Sequence, residues 1–263
     1  MKAKNTIQAF LSLRKEVLRL FCFAALLALQ PPLHAGEIGV SEKMGDKIPL
    51  DAEFLDSEGE RLVLGDYIDR PTLLLLGFYH CARACGLQTA SLAEAINQID
   101  DVPGKDFKVL SVSFDEAETP EHAKTMKKNY LNLVRREGIE DHWRFLTGDK
   151  NNIERVTKAT GYHFQKNKHH DFSHPNVLIA IAKEGKITRY LYGLDVKPFD
   201  IGMAIAEAKR GLLGISVKKA LSYCFDYDPE KKRYVFRLFR VVAFVTIVAL
   251  ISFYFLFLRK KNR

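Results

Sequence analysis

Cys81 and Cys85 stand four residues apart, about one turn of an α-helix, so a helix beginning near Cys81 would turn both sulfurs to the same side of its amino-terminal end. There the positive end of the helix dipole favours thiolate over thiol, and thiolate is the form that attacks disulfides and holds soft metals. In an oxidising compartment the same pair also suits a plain structural disulfide. His174 is set apart from the other seven histidines by its context, because Asp171-Phe172-Ser173-His174-Pro175 leads straight into an apolar stretch at 177–182. Two thiolates and one imidazole make a soft three-donor set that suits Cu(I), whereas structural zinc asks for four closed ligands. His80, next to Cys81, is a further donor, but the period-2 geometry of a strand aims it away from the pair. Cys22 falls in a segment expected to be removed, and Cys224 lies in a tail where a structural or idle role is expected.

Residues 48–68 alternate apolar and polar around Asp56-Ser57-Glu58-Gly59, the pattern of a hairpin. Residues 72–79 form a continuous apolar run suited to a buried strand. It is followed by the cysteine pair and by the helical spacing Leu87, Leu92, Ala95, Ile96, Ile99. A second buried strand is expected at 107–114, and Thr119-Pro120-Glu121 is a good helix start, with Thr as cap and Pro in the first turn, for a helix to about 136. A short strand at 143–146, a helix at 151–160 stopped by Gly161, a hairpin of 177–182 with 187–192 around Glu184-Gly185, and a helix at 199–210 complete the pattern. This is an α/β layout with helices on both faces of a central sheet. A cysteine pair at the first strand-to-helix junction, with a later hairpin and closing helix, is the thioredoxin-like arrangement. In such folds the loop before the hairpin faces the cysteine pair, which brings His174 toward it and makes Pro175 a candidate for a cis peptide.

Charge separates the ends from the middle. Of 40 basic and 32 acidic residues, five basic and one acidic fall in residues 1–35 and four basic in the last five, leaving 31 of each sign between. Residues 36–230 carry 26 basic and 31 acidic residues, so no basic phosphate-binding surface is expected and nucleic acid is excluded as a partner. Residues 1–35 have the layout of a secretory signal, with basic residues from Lys2 to Arg19, an apolar run at 20–29 too short to span a bilayer, and Leu33-His34-Ala35 before the expected cut. Residues 241–258 are uncharged and long enough for a transmembrane helix. The expected organisation is therefore a signal peptide (1–35), a thioredoxin-like domain (36–213), a linker and juxtamembrane segment (214–240), a C-terminal transmembrane helix (241–258) and a basic cytoplasmic tail (259–263). The domain faces away from the cytoplasm.

Taken together, these residues resemble the Sco/SenC family of copper chaperones of cytochrome oxidase assembly, across nearly the whole exported domain. Cys81-Ala-Arg-Ala-Cys85 is similar to its cysteine pair, Val112-Ser-Phe-Asp115-Glu-Ala-Glu-Thr-Pro120 to its strand ending in Asp before a Thr-Pro helix start, and Phe145-Leu-Thr-Gly148 to its next strand and turn. His174 falls on the family histidine. Gly185-Lys-Ile-Thr-Arg-Tyr-Leu-Tyr-Gly193 and Cys224-Phe-Asp-Tyr-Asp-Pro229 resemble the bacterial branch with a membrane anchor after the domain. Ala82 and Gly86 depart from the prolines that often follow the two family cysteines. The resemblance implies a bacterial inner-membrane protein, single-pass, with its domain in the periplasm or at the cell exterior. It further implies copper, as Cu(I) or Cu(II), held by Cys81, Cys85 and His174, and delivery to cytochrome oxidase subunit II or a similar copper-receiving client.

Two other classes compete with a chaperone that has no turnover. One is a membrane-anchored thiol-disulfide oxidoreductase with Cys81 as attacking thiolate and Cys85 as resolving thiol. The other, a thiol peroxidase, needs an activated thiolate beside a residue such as Arg83. Three residues between the cysteines and a histidine facing them favour the chaperone.

Overall fold

A computed structural model describes residues 38–80, 85–167, 171–214, 225–228, 233–236 and 246. The first described elements are a two-residue strand β1 (Gly39–Val40), the hairpin of β2 (Glu53–Leu55) with β3 (Arg61–Val63), and a one-turn helix α1 (Leu64–Tyr67). Strand β4 (Thr72–Gly77) leads to helix α2 (Cys85–Ile96), strand β5 (Lys108–Ser113) to helix α3 (Pro120–Leu131), and the short helix α4 (Ile139–His142) runs into strand β6 (Trp143–Leu146). Helix α5 (Lys150–Ala159) is followed by the two-residue strands β7 (Tyr162–His163), β8 (Gln165–Lys166) and β9 (Phe172–Ser173). The hairpin of β10 (Val177–Ile181) and β11 (Ile187–Tyr192) then precedes helix α6 (Pro198–Arg210).

Strands β11, β10, β4, β5 and β6 form the central sheet in that order. Strands β4, β5 and β6 run parallel, and β10 is antiparallel to both β4 and β11. The apolar runs that suggested these strands are continuous because both faces of the sheet are covered. Leu73 and Leu75 of β4 enter one core with Leu92 and Ile96 of α2 and Ile201 and Ile205 of α6. Leu74 and Leu76 enter the other with Ile153 and Val156 of α5 and with Phe54 and Leu64. Full burial of each leucine is worth about 2 kcal/mol, so β4 anchors both layers and fixes where its carboxyl end lies. Trp143, fully buried, stacks on Phe145 at 5.4 Å and donates its indole N–H to Ser111 Oγ at 2.9 Å, which satisfies the one polar atom the ring brings into the core.

Local signals account for the helix ends. Thr119 caps α3 in a reciprocal capping box in which His122 takes the part usually played by Glu or Gln. The Asp149 carboxylate accepts the Asn152 N–H at the start of α5. Gly161, at φ 62°, ends that helix, and a Cβ there would run into the Ser41 carbonyl, so both conformation and space demand glycine.

Two readings change. No described peptide bond is cis, so the bond before Pro175 is trans. Leu87 is 60% exposed and Gln88 takes the inward position on α2. A hairpin of β12 (Phe225–Asp228) and β13 (Arg233–Phe236) lies in the stretch read as a linker. Among the described residues no helix is long and apolar enough to cross a membrane. The expected signal (1–35), the tail (259–263) and, but for Thr246, the expected span (241–258) lie outside the described residues.

Candidate metal and thiol site

Strand β10 lies antiparallel to β4 with Leu178 opposite Leu75, so its first residues sit beside the last residues of β4. His174, three residues before β10, is thereby carried to the end of β4 from which the chain proceeds through Gly77, Phe78, Tyr79 and His80 to Cys81. A cavity at this end is lined by Gly77, Phe78, Tyr79, Gln88, Thr89 and His174, among others. Cys81 lies outside the described residues, and Cys85 is described by its backbone as the first residue of α2. Cys224 and Arg83 are also outside them.

The imidazole of His174 is held on one edge. Its Nδ1 is 2.9 Å from the Tyr162 hydroxyl and 3.0 Å from the Pro175 carbonyl, while the same hydroxyl is 2.9 Å from Leu76 O and 2.8 Å from Pro175 O. Each carbonyl needs a proton. The arrangement that supplies both has Tyr162 donating to Leu76 O and His174 Nδ1–H donating to Pro175 O, so we assign the Nδ1–H tautomer and the lone pair to Nε2. This is the outer-sphere pattern typical of a metal-ligating histidine, whose second nitrogen is fixed by a carbonyl. Phe78 and Phe114 present tilted rings to the imidazole, with centroids at 5.8 and 5.3 Å.

Burial among these rings holds His174 below its ordinary pKa of 6.5, against the opposing pull of the Pro175 carbonyl and the Asp171 charge. The folded state therefore keeps the imidazole neutral at a pH where the unfolded chain takes up a proton. Between the unfolded value of 6.5 and the lower folded value, the unfolded state binds more protons and stability falls as pH falls. Urea unfolding of the metal-free protein should show this loss on moving from pH 7.5 into the range below 6.5. It should be smaller in His174→Gln, and an identical pH slope in the two proteins would contradict the assignment.

On the other side of β4's end, the Glu118 carboxylate gathers the backbone that leads into Cys81. Its side chain is 1% exposed. It accepts the Tyr79 N–H at 2.7 and 2.8 Å, the His80 N–H at 2.8 Å and the Ser113 hydroxyl at 2.6 Å. The His80 ring, 63% exposed, lies with Nδ1 3.2 Å from the same carboxylate and packs edge-on against His122 at 4.3 Å. Tyr79, whose hydroxyl reaches the Ser111 and Leu146 carbonyls, anchors the segment to β5 and β6.

The SCO1/SenC family model matches residues 42–208. The chain belongs to the SCO1/SenC family. Solved structures agree on the fold of this SCO1/SenC protein. A candidate electron transfer protein from Aquifex aeolicus VF5 is 29% identical with a TM-score of 0.58, the match covering 65% of this chain and 96% of that one. Arabidopsis thaliana ScoI, solved with copper bound, is 19% identical with a TM-score of 0.51 over 64% of this chain and 99% of its own. BsSco, described as a member of the Sco family of cytochrome c oxidase assembly proteins with a disulfide switch, is 19% identical with a TM-score of 0.51 over 67% and 99%. No curated protein gives a significant match.

Three residues around His174 and the end of β4 escaped sequence reasoning. Glu118 and Tyr162 act through contacts with segments 38 and 86 residues away in the chain, which no local pattern announces. Gln88 did leave a signal: stepping back four residues from Leu92 lands on 88, so a polar side chain occupies the apolar face of α2.

Proposed function

We propose that the protein is a copper-binding metallochaperone of cytochrome c oxidase assembly, holding its cargo through the Cys81 and Cys85 sulfurs and His174 Nε2. The observation that carries this reading is the antiparallel register of β10 on β4, which sets a half-buried imidazole, with Nδ1 committed to the protein, at the strand end that leads into the cysteine pair. The donor set fits copper: two soft sulfurs suffice for Cu(I), and a nitrogen suits Cu(II). Copper in the Arabidopsis relative and the assembly role of BsSco support the choice of cargo and client. Subunit II of the oxidase, with its binuclear copper centre, is the client we favour. We place the domain outside the cytoplasm, anchored by residues 241–258, on the strength of the signal-like segment 1–35.

Thiol-disulfide exchange is a second reading, favoured by Cys85 opening a 12-residue helix, whose amino-terminal end stabilises a thiolate. His174 separates the two, since it is a ligand in one and dispensable in the other. His174→Ala should lower Cu(II) affinity by roughly a hundredfold, as expected for loss of a nitrogen donor, and Cu(I) affinity much less. Competition titration with chelators of known strength measures both. If both affinities are unchanged while the parent turns over dithiol substrates, the exchange reading replaces the chaperone.

A further inference from the structure

Tyr162 carries a polar atom into the core at the point where two strands part. It is 2% exposed and its ring packs on Phe114 at 5.8 Å. In β7 it points inward while His163, the next residue, points out. The ladder between β10 and β4 stops at the pair Leu178 and Leu75 and does not reach Val177 and Leu76. The Tyr162 hydroxyl sits just past that last pair, 2.9 Å from Leu76 O on β4, 2.8 Å from Pro175 O ahead of β10 and 2.9 Å from His174 Nδ1. A phenol brings one proton and can also accept one. Where that proton goes decides the state of the imidazole: a hydroxyl that donates to Nδ1 puts the ring proton on Nε2, and one that donates to a carbonyl lets Nδ1 keep it.

We propose that Tyr162 is a positioning residue for His174: its hydroxyl donates to Leu76 O and holds the ring in the Nδ1–H tautomer, so that Nε2 is the nitrogen offered to a metal. Only the consequence for copper rests on the reading above. Two carbonyls converge on one phenolic proton, so the second proton comes from Nδ1–H, 3.0 Å from Pro175 O. The Nε2–H tautomer would leave this pair of side chains with one proton for two carbonyls, a costly arrangement where water is excluded. The hydroxyl is thus an outer support that orients a ligand, and because it bridges Leu76 and Pro175 it also ties that ligand to the end of β4. Without it, the carbonyl of the neighbouring residue alone holds Nδ1–H, and the Nε2–H form, whose lone pair is turned into the protein, gains population.

The test compares the full-length parent with Tyr162→Phe, which keeps the ring and removes only the hydroxyl, and uses His174→Gln to identify the His174 signals. Nitrogen-15 NMR of the metal-free, histidine-labelled chain, well above the pKa of the imidazole, reads the tautomer from the two ring nitrogens. The parent should show His174 in the Nδ1–H form, and Tyr162→Phe a mixture in which the Nε2–H form is plainly populated. Cu(II) affinity should then fall roughly tenfold in Tyr162→Phe, the size of effect that follows loss of an outer support. Cu(I), which two thiolates can hold, should change by no more than about twofold. A parent already in the Nε2–H form overturns the proposal without recourse to the variant. So does a Tyr162→Phe protein that melts at a lower temperature but keeps the tautomer of the parent, since its hydroxyl is then a structural bond only. Failure of the copper reading is seen separately: the tautomers differ as expected, but the parent binds neither copper ion.

Discussion

Glu118→Ala should lower stability by roughly 3 kcal/mol or more, because it leaves the Tyr79 and His80 N–H groups and the Ser113 hydroxyl without the carboxylate that accepts them, at about 1 to 3 kcal/mol for each orphaned buried donor. For a domain of this size that corresponds to a melting temperature lower by about 6 to 12 °C. Gln in its place keeps one accepting oxygen but turns an NH2 group toward donors, so Glu118→Gln should fall between. The change also reaches the site, since His80 directly precedes Cys81 and the clamp is what fixes the direction in which the chain leaves β4. Copper affinity should drop on the order of tenfold in Glu118→Gln, the size of effect seen when a group supporting a metal ligand is removed. Thermal unfolding and copper titration of the same samples check both effects. Unchanged melting and unchanged affinity would mean the carboxylate is not a clamp.

Cys85→Ser should remove high-affinity Cu(I) binding, with a loss on the order of a thousandfold or more. A hydroxyl is a hard donor that stays protonated at neutral pH, so the pair of soft thiolates that can hold Cu(I) in linear fashion becomes a single thiolate and an imidazole. Cys81→Ser should match it, because neither sulfur can stand in for the other. In thiol exchange the two variants differ: Cys85→Ser keeps an attacking Cys81 but no resolving thiol, and so should accumulate a mixed disulfide that mass spectrometry detects. A Cys85→Ser protein that binds Cu(I) like the parent would rule this cysteine out as a ligand.

The parts of this architecture that were legible are those whose pattern is set by local chemistry or by burial on both sides. Strand β10 is apolar throughout, β4 is so apart from Thr72, and β5 is so at Val109, Leu110 and Val112, because each feeds both cores, and α3 begins at Thr119-Pro120 because a cap followed by proline has few other uses. His174 could be picked out because it precedes a strand that must lie beside β4. Two-residue strands such as β7 and β9 carry no periodicity, and the one-turn helix α4 is too short to show one. The Leu87-to-Gln88 misplacement came from reading a helix face by apolar residue type, when the angular step of about 100° per residue from Leu92 already pointed to 88. Glu118 belongs to a different class of miss: its neighbours in the chain say only that a helix is about to start, and its role exists only once β5 is laid beside β4.

On the proposed reading the site holds one copper ion between two thiolates and a histidine. Anaerobic titration of the fully reduced protein with Cu(I), with metal counted per chain after removal of loosely bound ions, tests it most directly. One equivalent retained per chain, and none in the double variant Cys81→Ser, Cys85→Ser, is the predicted result; a reduced parent that retains no copper yet reduces disulfide substrates would contradict it.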